Sequence, residues 1–100
     1  MIFKDDTINP IGLRPELVLA LMVADQVYRE EHVDMVVTSL NDGTHSRRSL
    51  HYSGAGVDLR ILNLPNPSRT AQNISSRLNK HYDVILEGNH IHIEYQPEGY

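Results

Sequence analysis

The sequence predicts a single α+β domain, and three observations predict it. Two stretches carry apolar residues at helical spacing, short β-branched runs lie between them, and the chain closes on a hairpin signature around Gly88-Asn89. One hundred residues with 40% hydrophobic and 22% charged content suit one globular core. A domain of this size buries only about two thirds of the surface its unfolded chain exposes, so a bound metal would add useful stability.

Residues 1 to 12 mix charge with Asn9-Pro10 and Gly12 and read as a turn-rich lead-in. Pro15 then suits the first position of a helix, with Glu16 in its first turn. Leu17, Ala20, Leu21, Ala24 and Tyr28 recur at spacings of three and four, which predicts an amphipathic helix to about Glu30 with Asp25, Arg29 and Glu30 toward water. Its most apolar run, "LVLALMVA", is too short for a membrane span and lacks the flanks of a signal peptide. "DMVVTSL", residues 34 to 40, predicts a buried strand.

"NDGTHSRRSLHYSG", residues 41 to 54, is polar and aperiodic, a loop long enough to suspect function. "GVDLRIL", residues 56 to 62, returns to strand character. Asn66 as N-cap and Pro67 as first helical residue open a second helix, with Ala71, Ile74 and Leu78 as its apolar stripe and an end near Lys80. "YDVILE" and "HIHIEY" flank Gly88-Asn89, a two-residue hairpin turn in which glycine would supply a positive φ. That register sets Glu87 opposite His90, Leu86 opposite Ile91, Ile85 opposite His92 and Val84 opposite Ile93. Val84, Leu86, Ile91 and Ile93 then share one face, while Ile85, Glu87, His90, His92 and Glu94 share the other.

The net charge of −4 and the isolated Arg47-Arg48 pair provide no basic stripe for nucleic acid. Without cysteine there is no disulfide and no thiolate site, so a metal would be held by imidazole and carboxylate. Those ligand types gather in two places: the hairpin's polar face, and "SLHYSGAGVD", where Asp58 follows His51 by seven positions with Gly54 and Gly56 between them. The glycines allow a tight turn that lets both side chains converge on one ion. Two histidines and a carboxylate leave one position of a tetrahedral zinc open, which marks a catalytic rather than a structural site.

The pattern S-x-H-x-x-G-x-G-x-D, followed some thirty residues later by H-I-H-I-E, resembles the zinc D-Ala-D-Ala carboxypeptidase and L-Ala-D-Glu endopeptidase family. These are peptidoglycan-cutting metallopeptidases that include bacteriophage endolysins. The match runs from Thr38 to about Pro97. It implies a compact α+β fold with a small antiparallel sheet and two main helices, of DD-carboxypeptidase and hedgehog type. It also implies one Zn2+, held by His51, Asp58 and His92, and amide hydrolysis in which a carboxylate takes the proton of the attacking water.

Two departures stand out. Gly56 replaces the family's usual alanine, a change expected to be a harmless reduction in size. Three residues before the last ligand histidine, where family members often have an acidic general base, stands Asn89, which cannot take a proton. Glu87 is therefore the expected base, with His90 donating to the oxyanion or to a substrate carboxylate. Glu94 is placed to orient an imidazole. The family's substrate-holding arginine has no counterpart at Asn41 or Asp42. Arg47 or Arg48 could reach the site or be a solvated pair; His45 is equally open, and His32 and His81 read as surface residues at helix ends.

The function expected from this is a zinc metallopeptidase acting on peptidoglycan stem peptides in cell-wall lysis, of phage or bacterial origin. The alternative is a non-catalytic zinc- or peptide-binding module of the same fold. The chain is expected to be a monomer without nucleic-acid or membrane partners, cytoplasmic as synthesised and acting on the wall if released.

Overall fold

A computed structural model describes residues 1–10, 12–41 and 55–96. Its elements run β1 (Ile2–Phe3), α1 (Pro15–Glu30), β2 (Val36–Asn41), β3 (Ala55–Arg60), α2 (Pro67–Arg77), β4 (Tyr82–Glu87) and β5 (His90–Tyr95). The strands form one sheet in the order β1-β2-β3-β5-β4. This is an α+β arrangement, but the sheet is mixed rather than wholly antiparallel. Part of the lead-in read as turns is a short strand, β1, which pairs parallel to β2 with Ile2 opposite Val36 and Phe3 opposite Val37. Hydrogen bonds from the Ile2 N–H to the Met35 carbonyl (2.8 Å) and from the Lys4 N–H to the Val37 carbonyl (2.9 Å) hold it there.

Helix α1 begins as expected at Pro15 and buries Leu17, Ala20, Leu21, Ala24, Val27 and Tyr28. It ends in a Schellman motif: the Val33 N–H reaches the Tyr28 carbonyl and the His32 N–H the Arg29 carbonyl, both at 3.0 Å, with His32 left-handed at φ 60°. Asp25, expected toward water, is largely covered and pairs with Arg29 at 3.1 Å. Helix α2 is capped by the Asn66 side chain, which accepts from the Arg69 N–H at 3.1 Å. It stops at Arg77, three residues before the expected end, because Leu78 turns extended and Asn79 accepts from the His81 N–H at 2.8 Å, an Asx turn that competes with another helical turn.

Both helices pack on one face of the sheet. Their buried residues join Val37, Ala55, Val57, Leu59, Ile91 and Ile93 in a single core. Two buried tyrosine hydroxyls tie the layers together: Tyr28 donates to the Arg60 carbonyl and Tyr82 to the Glu16 carbonyl, each at 2.9 Å. Burial, and secondarily the charge of Glu31, raises the Tyr28 phenol above its ordinary pKa, so it stays a donor. Among the described residues no helix is long and apolar enough to cross a membrane.

The hairpin has the expected register at every pair from Val84↔Ile93 to Glu87↔His90. Its turn differs in one respect. Among the described residues only Gly12 and His32 have positive φ, so Gly88 does not supply the left-handed conformation that primed two-residue turns use.

Candidate functional site

The face of the sheet turned away from the helices carries the site, and strand alternation builds it. On β3, Ala55, Val57 and Leu59 point into the core, which sends Gly56, Asp58 and Arg60 to the opposite side. On β5, Ile91 and Ile93 are buried and His90, His92 and Glu94 take the other side. The antiparallel register makes Arg60↔His90, Asp58↔His92 and Gly56↔Glu94 direct neighbours. Two residues 34 apart in the chain thus become a cross-strand pair.

Contacts along this row are short. The His92 Nδ1 lies 2.7 Å from the Asp58 Oδ1, and its Nε2 lies 3.2 Å from the Glu94 Oε1. Glu94 is held in turn by the Gln96 side-chain amide. Partial burial disfavours charge on the imidazole, but hydrogen bonds to Asp58 and Glu94, with their negative charge, outweigh it and raise His92 above its ordinary pKa.

The donor types suit a metal, while the 2.7 Å contact itself is of hydrogen-bond length and would have to widen to about 3.3 Å around a tetrahedral zinc. When the ring is neutral and gives its Nε2–H to Glu94, the Nδ1 lone pair and the Asp58 Oδ1 confront each other as two acceptors and need a cation between them. A proton or a metal ion meets that need, and imidazole with carboxylate is a zinc donor set whose outer nitrogen is already oriented by a carboxylate. Among the described residues no three His, Cys, Asp or Glu side chains converge as a metal-binding group. The third expected ligand, His51, lies outside the described residues, as do His45, Arg47 and Arg48.

Glu87, the expected base, is half-exposed, and its Oε1 stands 3.3 Å from the His90 Nε2. That nitrogen is also 3.6 Å from the Asp58 Oδ1, so His90 links Glu87 to the Asp58–His92 pair. Asn89 has a role that its lack of basicity did not suggest: its side-chain oxygen meets the His90 Nδ1 at 2.8 Å and orients that ring.

Three features escaped the sequence reading. A β-bulge between Val37 and Ser39 shifts the β2–β3 register, so that consecutive residues Thr38 and Ser39 both border Asp58, each in the wall of a separate groove. Its sequence signal is the odd spacing of Val37 and Leu40, which both pack on the core. The glycine at 56 is a seat rather than a reduction in size: a Cβ built there would stand 2.9 Å from the His92 Cε1. The third is a pair of cations, Lys4 and Arg60, in the larger groove of about 350 Å³. The smaller groove, about 180 Å³, is bordered by Ser39, Gly56, Asp58, His92 and Glu94.

Comparison with family models, with curated proteins and with solved structures found no match to this chain.

Proposed function

We propose that this domain is a zinc-dependent peptidase that hydrolyses an amide bond in peptidoglycan stem peptides, with the fold of the DD-carboxypeptidase and hedgehog type. One observation carries the reading. Asp58 and His92, named as ligands by the resemblance of two separate motifs, meet at 2.7 Å as register partners on adjacent strands. His51 is the third ligand in this reading.

A bound zinc supplies Lewis acidity that makes water nucleophilic near neutral pH and polarises a carbonyl. The chain's own residues do the rest. Asp58 and His92 fix the position of the reacting centre, and Glu94 keeps the His92 ring from rotating by holding its Nε2. Glu87 accepts the proton of the attacking water and returns it to the leaving amine. His90, steered by Asn89 and bordering the larger groove, donates to the developing oxyanion. Ile85, opposite His92 and 47% exposed, offers an apolar surface for small aliphatic side chains such as those of alanine.

The test is release of peptide fragments from purified peptidoglycan by the zinc-loaded chain. Activity abolished by a chelator and restored by zinc supports the reading. Stoichiometric zinc with intact peptidoglycan in every condition would make the domain a binding module.

A further inference from the structure

The two edges of the sheet are not alike. On one side the two-residue strand β1 pairs with β2. On the other, β4 closes the sheet with six residues that pair only with β5. The phase of that ladder decides which backbone groups face outward. The Gln96 N–H donates to the His81 carbonyl at 2.8 Å, so His81, Asp83, Ile85 and Glu87 are the residues bonded to β5, and Tyr82, Val84 and Leu86 turn their N–H and carbonyl groups away from it. The Asn79 carbonyl accepts the Tyr82 N–H at 3.2 Å; among the described residues nothing bonds the outward groups of Val84 and Leu86. Natural sheets blunt an open edge with lysine, proline or a bulge. Strand β4 has none of these, and it exposes Ile85 and Leu86 at 47% and 40%.

We propose that the outer edge of β4 docks a second copy of this chain, as an antiparallel β4–β4 pair about a two-fold axis at Val84, in a sheet continuous through both copies. The strand's own sequence selects this occupant and this register. Opposed residues share a face, so a self-pairing that keeps core side chains with core side chains must be centred on a residue. Centring on Asp83 sets that carboxylate against its own copy, and centring on Ile85 sets Asp83 against the partner's Glu87. Centring on Val84 instead sets His81 against the partner's Glu87, Tyr82 against the partner's Leu86 and Asp83 against the partner's Ile85. Hydrogen bonding agrees with charge in this register. The two Val84 residues exchange N–H and carbonyl bonds, and the Leu86 N–H reaches the carbonyl of the partner's Tyr82. Symmetry makes every contact occur twice. Glu87 meets His90 through Oε1 at 3.3 Å, so Oε2 is the oxygen that accepts from the partner's His81. The second copy thereby brings an imidazole to the face that carries Asp58 and His92, although the pairing rests on the strand alone and stands apart from the peptidase reading. The monomer expected from the sequence is then the dilute form, since one strand pair buries less than the roughly 1,200 Å² of a stable interface.

Sedimentation equilibrium and amide hydrogen exchange of the full chain, from about 1 to about 500 µM, span the range of a weak interface. The mean mass should rise from 11.4 kDa toward twice that value. The Val84 and Leu86 amides should gain protection with concentration, while those of Asp83 and Ile85, bonded to β5, stay protected throughout. His81→Glu should weaken dimerisation at least tenfold, and adding Glu87→Lys should restore it by reversing the pair in both copies. Val84→Pro should abolish dimerisation and spare the β4–β5 ladder, because the N–H it removes points outward. Protected Asp83 and Ile85 amides verify the fold of each variant. A chain that stays monomeric at the highest concentration would overturn the proposal, as would a dimer whose Val84 and Leu86 amides exchange as they do in the monomer. Protection of those two amides in a monomer at every concentration would also overturn it, by placing a segment of the same chain on the edge. Dimerisation changed less than twofold by both His81→Glu and Val84→Pro would do the same.

Discussion

Replacing Gly56 by alanine probes the seat of the His92 ring. The added methyl would stand 2.9 Å from the ring's Cε1, 3.3 Å from its Nε2 and 3.3 Å from the Ile93 carbonyl oxygen, where ordinary contact begins at 3.4 Å. The carbonyl belongs to a paired strand and cannot retreat, so the ring must move outward by about half an ångström to restore normal packing. It is not free to do so, because its two nitrogens are held by Asp58 and Glu94 at 2.7 and 3.2 Å. Overpacking of this kind costs about 1–3 kcal/mol, and easier ordering of alanine than glycine returns about 0.4–1 kcal/mol. A net loss near 1 kcal/mol lowers Tm by about 4–8 °C in a domain of this size. Zinc affinity should fall about tenfold to a hundredfold, the range for a disturbed ligand support. Thermal unfolding, a zinc titration against a competing chelator and the nitrogen chemical shifts of the His92 imidazole read the three effects. If Gly56→Ala leaves Tm, zinc affinity and those shifts unchanged, the ring does not rest on Gly56, and the geometry assigned to the pair is wrong.

Other substitutions separate the remaining roles. Glu87→Gln should keep fold and zinc but lose about two to four orders of magnitude in turnover, the weight of one acid-base group, whereas Asn89→Ala, which frees one His90 nitrogen, should cost far less. An undiminished rate in Glu87→Gln would remove Glu87 as the base. His32→Gly should raise stability by about 0.5–1 kcal/mol, measured by urea unfolding, since it relieves a left-handed residue at the end of α1; a loss would mean that the His32 side chain makes a stabilising contact. Gly88→Ala should be neutral or slightly stabilising, because a Cβ there meets nothing and φ is not left-handed. A clear loss of Tm in that variant would restore the primed turn.

The terminal hairpin was legible in the sequence down to its pairs, because a two-residue connection leaves one register and period-two alternation then assigns every side chain to a face. The Asp58–His92 meeting was suggested by motif resemblance alone, since the β3–β5 pairing that creates it is non-local. What escaped notice has tertiary causes. Strand β1 spans two residues, too few for any periodicity, and exists because the edge of β2 offers it partners. The bulge at Thr38 was announced by the three-residue spacing of Val37 and Leu40, which a simple strand reading passes over. Gly56 gave no hint of the ring above it, because close approach depends on the facing strand. Lys4 and Arg60, 56 positions apart, share a groove only after β1, β2 and β3 are assembled.

The most direct measurement of the proposed metal centre is zinc content per chain, in protein purified without chelator, for the wild type and for His51→Ala, Asp58→Ala and His92→Ala, with fold checked by circular dichroism. One equivalent in the wild type, lost in each folded variant, together with a fall in wild-type Tm when the metal is withdrawn, is the expected result. A wild type that takes up no zinc, or a folded His51→Ala, Asp58→Ala or His92→Ala chain that keeps a full equivalent, would contradict it.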